Sequence, residues 1–91
     1  MKNVIIDCEH LLHKEQAHLY LAQMLDFPGY YGRNLDALFD CLTELGECTI
    51  TLKGEHILHQ TDCYGAKVLQ VFEEAAQANP GLKLEISEVE P

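Results

Sequence analysis

The sequence predicts a small α/β domain built on a three-stranded parallel sheet, its elements in the order β-α-α-β-(α)-α-β. Three observations lead there. Short β-branched or alternating runs are separated by stretches with helical apolar spacing, and strands joined through helices favour parallel pairing with crossover connections. The chain has 91 residues, enough for one hydrophobic core and too few for a second, so residues 1–91 read as a single domain. The composition is 47% hydrophobic and 23% charged, with 6 Gly and 3 Pro. That excludes a collagen, a disordered tail and a disulfide-dense miniprotein.

Each element has its own reason. Lys2 to Asp7 carries Val4-Ile5-Ile6, a continuous β-branched run of the kind buried on both faces of a parallel sheet. Lys14 to Asp26 places Ala17, Leu21, Met24 and Leu25 at helical spacing and stops before Phe27-Pro28-Gly29. The loop Gly29-Tyr30-Tyr31-Gly32 follows. A second helix is expected from an Asn34 N-cap to about Leu45, stopped by Gly46. Cys48 to Lys53 alternates as a strand, and Glu55 to Gln60 suggests a short, weak helical turn. Gly65 to Asn79 reads as a helix with Val68, Leu69, Phe72, Ala75 and Ala76 in one stripe, ended by Asn79-Pro80-Gly81. Leu82, Leu84 and Ile86 alternate with Lys83, Glu85 and Ser87 as the last strand. Tyr20, Tyr64, Phe27 and Phe72 are expected in the core.

Fifteen acidic against six basic residues leave a net charge of −9. Such a chain is repelled by a phosphate backbone, so direct nucleic-acid binding is not expected and a basic partner is. No apolar run approaches the ~20 residues of a membrane span or the ~7–15 of a secretory signal, which predicts a cytoplasmic protein with no membrane association. Its four cysteines, Cys8, Cys41, Cys48 and Cys63, are then expected as reduced thiols.

The second helix carries more charge than folding requires. At about 100° per residue, Leu35, Leu38, Cys41, Leu42 and Leu45 share one arc, with Phe39 at its edge. That stripe accounts for the leucines and for none of the carboxylates. Asp36, Asp40 and Glu44 stand at i, i+4 and i+8, where like charges cost a few tenths of a kcal/mol per pair. Glu44 also lies near the helix C-terminus, where the macrodipole disfavours an anion. A solvated acidic face is the plain explanation. Tyr30, Tyr31 and Phe39 beside the acids favour instead a protein interface with aromatic anchors, with a place in the core under the loop as the lesser alternative for Tyr30 and Tyr31.

The run Tyr30-Tyr31-Gly32-Arg33-Asn34-Leu35-Asp36-Ala37-Leu38-Phe39-Asp40-Cys41-Leu42-Thr43 closely resembles the signature segment of the barstar family, intracellular inhibitors of barnase-type secreted ribonucleases. Gly65 to Ala75 resembles the last helix of the same family, and the order of elements agrees over essentially the whole chain. The resemblance implies a barstar-like fold and a one-to-one complex in which an acidic helix plugs the active site of a basic ribonuclease. It implies no catalytic residue, no metal and no cofactor, and a monomer when free.

By the same resemblance, Asp40 matches the aspartate that enters the nuclease site in place of a substrate phosphate. Tyr30 matches a tyrosine packing on the catalytic region, Asp36 and Thr43 match flanking polar contacts, and Glu74 matches an outlying acid that pairs with an arginine. Gly32, Asn34, Phe39 and Leu45 complete the implied partner-binding set. A carboxylate on a rigid helix can satisfy the Arg, Lys and His donors of a ribonuclease site through charge-assisted hydrogen bonds. Because complexes of this family are a standard illustration of electrostatic steering, the independent support is the number of acids and their place on the helix. Three positions depart from the pattern. Arg33 replaces an acid, Leu45 replaces a tryptophan, and Phe39 replaces a tryptophan whose indole N–H it cannot reproduce.

Other readings compete. His56, His59 and Cys63, or Asp7-Cys8-Glu9-His10 with His13, offer metal-ligand types, but neither supplies four ligands at an established zinc spacing. A Cys/His catalytic pair is conceivable, yet Cys41 lies in the apolar arc where burial keeps a thiol protonated. A non-inhibitory interaction domain on the same fold, with a different partner, is the remaining alternative, and Arg33 and Leu45 are its support.

Overall fold

The structure, a computed structural model, describes residues 2–29, 31–54, 57–60 and 63–87. Strand β1 (Lys2–Asp7) leads through a 3-10 turn (Cys8–Leu11) into α1 (Lys14–Leu25) and α2 (Leu35–Glu44). Strand β2 (Cys48–Lys53), a short α3 (Ile57–Gln60), α4 (Tyr64–Ala78) and β3 (Leu82–Ser87) complete the chain. The expected helical turn from Glu55 is seen from Ile57 onward, its first two residues lying outside the described ones. The 3-10 turn was not expected; Asp7 starts it by accepting the Glu9 amide N–H at 3.1 Å.

The strands form one parallel sheet in the order β1-β2-β3. In register, Val4 stands opposite Ile50 and Ile50 opposite Leu84, so these side chains share a face. That face is covered: Val4, Ile6, Cys48, Ile50, Leu52 and Leu82 are buried against Leu21, Leu38, Leu42, Val68 and Phe72 of the helices. Burial fades along β3, where Ile86 is 47% exposed.

The opposite face corrects the expectation for the first strand. Ile5 is 61% exposed, so β1 is buried on one face only. Its register partner on β2 is Thr51, which in turn pairs with Glu85, a row suited to water. A run of three β-branched residues looks the same in a one-sided and a two-sided strand; the polar residues of the neighbouring strands carried the distinction.

Helix α1 holds a second correction. Its buried residues are Ala17, His18, Leu21 and Leu25, while Met24 and Leu19 are exposed. The stripe is thus rotated toward His18 and away from Met24. Tyr20, Tyr64 and Phe27 are half-buried at the margin of the core, and only Phe72 among the four aromatics expected there is fully enclosed. Helix α4 carries the expected stripe and adds Gly65 and Val71. A Cβ at Gly65 would collide with Leu58 and lie 2.8 Å from the carbonyl oxygen of Leu11. Glycine there lets the start of α4 press against the 3-10 turn.

Candidate functional site

The acidic helix is held at both ends by asparagines. At the N-terminus, Asn34 takes an extended conformation and its Oδ1 accepts the Ala37 amide N–H at 2.7 Å. Such a cap contributes about 1 kcal/mol. The same side chain donates from Nδ2 to the Gly32 carbonyl at 3.3 Å. A Cβ on Gly32 would stand 3.3 Å from Ala37 Cβ, so glycine lets the loop lie close on the first turn. Between them Arg33 adopts a left-handed conformation with φ 55°, uncommon for a residue with a side chain.

At the C-terminus the support is tertiary. Asn79, just past α4, donates from Nδ2 to the carbonyls of Leu42 at 3.1 Å and Leu45 at 2.9 Å. Its Oδ1 accepts the Gly81 amide N–H at 3.1 Å. The Leu42 carbonyl, which also accepts the Leu45 amide N–H at 3.4 Å, and the C-cap carbonyl of Leu45 are thereby bonded by a residue 37 and 34 positions away. In the sequence Asn79 reads only as the end of its own helix.

The expected acids follow one another a turn apart along α2 and border two hollows. Asp40 and Glu44 are exposed and line a cleft of about 410 Å³ between α2 and the end of α1. Leu25, Phe27, Tyr31, Ala37, Cys41 and Leu45 form its apolar lining, and Asp26, Pro28 and Gly32 complete it. Asp36 lines a different hollow, together with Lys14 and Lys67. Arg33 lines a third, with Lys14, Glu15, His18 and Leu19. Its charge therefore lies toward α1 rather than in the Asp40 cleft.

The other expected partner-binding residues are placed as follows. Thr43 is half-buried and donates its hydroxyl to the Asp40 carbonyl at 2.9 Å. Phe39 and Leu45 are half-buried against the core. Glu74 is exposed on α4, where its Oε2 accepts from Gln70 Nε2 at 3.5 Å. Tyr30 lies outside the described residues, as do His56 and the side chain of His59. Among the described residues, no three His, Cys, Asp or Glu side chains gather as metal ligands would.

Beneath the loop the structure shows a polar bridge that the sequence reading missed. His18 is 1% exposed; its Nδ1 lies 2.6 Å from the Tyr31 hydroxyl and its Nε2 2.6 Å from the Tyr64 hydroxyl. Burial lowers the His18 pKa, and the Lys14 charge lowers it further. The ring is therefore neutral at pH 7, donating from one nitrogen and accepting at the other. Tyr31 itself is 8% exposed and packs on Phe27 with centroids 4.8 Å apart. It is thus a core residue under the loop, and burial raises its pKa, with Cys41 and Tyr64 adding to the effect. Burial likewise raises the Cys41 thiol pKa, helped by Glu44 and then Asp40, which keeps it protonated. The spacing of Ala17, His18, Leu21 and Leu25 was the available signal for His18; its tyrosine partners were not legible.

Comparison with known proteins agrees with this architecture. Residues 1–87 match the family model described as Barstar (barnase inhibitor). YrdF of Bacillus subtilis (strain 168), provisionally named a ribonuclease inhibitor, is 40% identical over 80 residues, covering 85% of this chain and 88% of YrdF. The chain belongs to the barstar family.

Proposed function

We propose that this barstar-family chain is an inhibitor that binds a basic, barnase-like ribonuclease one-to-one and plugs its active site with α2. The observation that carries the reading is the setting of Asp40. It is an exposed carboxylate on a helix tied down at both ends by Asn34 and Asn79, in a cleft with no Lys, Arg or His among the described residues that line it. A carboxylate so presented can take the place of a substrate phosphate among the cationic donors of a ribonuclease site. Its rigidity lowers the ordering cost of binding. Tyr30, Asp36, Phe39, Thr43 and Glu74 are proposed as flanking contacts around Asp40. The inhibitor needs no catalytic group of its own, and its unbridged thiols at Cys41 and Cys63 fit a proposed cytoplasmic site of action.

Titrating RNA cleavage by a barnase-like ribonuclease with this protein, beside Asp40→Ala, tests the reading. Stoichiometric inhibition lost in the variant is expected. Absence of inhibition at micromolar excess overturns it and favours the second reading, an interaction domain on the same fold with a different partner. Leu45 is the observation behind that alternative, because it packs on the core as a half-buried aliphatic residue and presents no large amphipathic anchor at the rim.

A further inference from the structure

Helices α1 and α2 end by different means. α1 stops itself: Asp26 turns left-handed at φ 56° and its N–H donates to the Ala22 carbonyl. α2 has no such local stop. Among the described residues positive φ occurs at Asp26, Arg33 and Gly54, so Gly46 does not supply the left-handed turn that closes many helices. Leu45 instead leaves the helix extended, with φ −65° and ψ 143°, and its N–H reaches the Leu42 carbonyl at a long 3.4 Å. The firmer bonds across this break come from Asn79, whose Nδ2 donates to Leu42 inside the helix and to Leu45 beyond it.

The rest of Asn79 is equally committed. Its Oδ1 accepts the Gly81 N–H, its own N–H donates to the Ala75 carbonyl at 2.8 Å where α4 ends, and its carbonyl accepts the Leu82 N–H at 3.0 Å where β3 begins. The side chain that closes α2 is thus anchored to α4 and β3. We propose that Asn79 is a positioning residue for inhibition. Its Nδ2 sets where α2 stops and holds that end to α4, so that Asp40 and Thr43 on α2 and Glu74 on α4 meet the ribonuclease as one rigid surface. The inference rests on the inhibitor reading above and adds a residue that acts through the helix rather than by touching the nuclease. Asp40 and Thr43 lie in the turn that Asn79 closes, joined by the Thr43 hydroxyl on the Asp40 carbonyl. Fixing that turn at folding spares the complex the entropy of ordering it. Losing the lock should therefore speed dissociation and leave the association rate nearly unchanged.

The test compares Asn79→Asp with Ile6→Val in the complex with a barnase-like ribonuclease, measuring association by stopped flow and dissociation into excess competitor. Asn79→Asp keeps the shape and the acceptor for Gly81 but offers no N–H to the two carbonyls. Its added negative charge would by steering alone favour a basic partner, so the charge and the lost lock predict opposite changes. Ile6→Val trims a fully buried side chain of β1 and costs comparable stability with Asn79 intact. Dissociation about tenfold faster is expected for Asn79→Asp, against a change within about twofold for Ile6→Val. In the free protein, the amide shifts caused by Asn79→Asp should centre on residues 42–46 and 79–82. Should that variant fail to fold, Asn79→Ser, neutral and without the amide, is read by the same rates. A dissociation rate equal to that of the unmodified protein, or an equal acceleration in Ile6→Val, overturns the inference and leaves Asn79 a structural cap alone. Failure of the unmodified protein to inhibit removes the inhibitor reading itself, and this inference with it.

Discussion

The segment from Asp26 to Leu45 has two sides that treat polar groups in opposite ways. On the inner side, His18 joins Tyr31 and Tyr64 through two short hydrogen bonds. No described, buried side-chain nitrogen or oxygen lacks a partner. On the outer side, Asp26, Asp40 and Glu44 line a cleft with no basic residue among its described lining. The contrast separates folding from binding. Inside, an unsatisfied polar group costs the fold directly, so partners are supplied. Outside, water solvates the carboxylates, so their charge costs the fold little and is available to the proposed complex.

The comparison breaks most easily at His18. Replacing it by alanine leaves a cavity and strips two tyrosine hydroxyls of their partner, which should cost about 3 kcal/mol of folding stability. Asp40→Ala should stay within about 0.5 kcal/mol in the same urea unfolding assay. Similar losses for the two variants would erase the distinction between the sides. In binding the ranking reverses: Asp40→Ala is expected to cost at least ~2 kcal/mol of ribonuclease affinity, and Glu44→Ala less than about 1 kcal/mol, both measured by calorimetric titration. Parity between these two would demote Asp40 from the centre of the interface. Asn34→Ala serves both sides, since it removes the cap that positions α2. It should lower stability by about 1 kcal/mol.

The smallest effect is a pH dependence that belongs to the inner side alone. His18 has a lowered pKa in the fold, from burial first and Lys14 second, so the unfolded chain takes up its proton at higher pH than the native one. Stability contributed by the neutral ring is complete above the ordinary histidine pKa of about 6.5 and declines as pH falls below it toward the lowered native value. Tyr31 and Tyr64 face the ring and stay uncharged across that range, since burial raises both. Unfolding free energy measured between about pH 7 and 5 should therefore lose part of its slope in His18→Gln. An unchanged slope would show that other groups set it.

Much of this was readable in the linear chain. The Asn34 cap and the Leu38–Leu42 stripe are local signals, because capping and helical periodicity act over three or four residues; the helix ends at Glu44, with Leu45 already extended ahead of the expected stop at Gly46. The alternation of Cys48 to Lys53 likewise announced a strand. The signature run around Asp40 identified the family. Met24 was misplaced because hydrophobicity alone favoured it over His18 for the inner stripe. Ile5 was misplaced because a strand's second face is decided by its neighbours, here Thr51 and, beyond it, Glu85.

What the sequence by itself determined is the set of local elements, their order and the excess of carboxylates on one helix, since each depends on interactions between near neighbours. Only the tertiary structure decided how those carboxylates are divided. Packing of α2 against α4 set Asp36 in a hollow that Lys14 and Lys67 also line and set Asp40 and Glu44 in the cleft that Asp26 shares. It also brought Asn79 to the end of α2 and Tyr64 to His18 across 46 positions. The physical reason is separation along the chain: a cap or a stripe is written within one helical turn, whereas a cleft or a hydrogen-bonded bridge exists only after distant segments have packed.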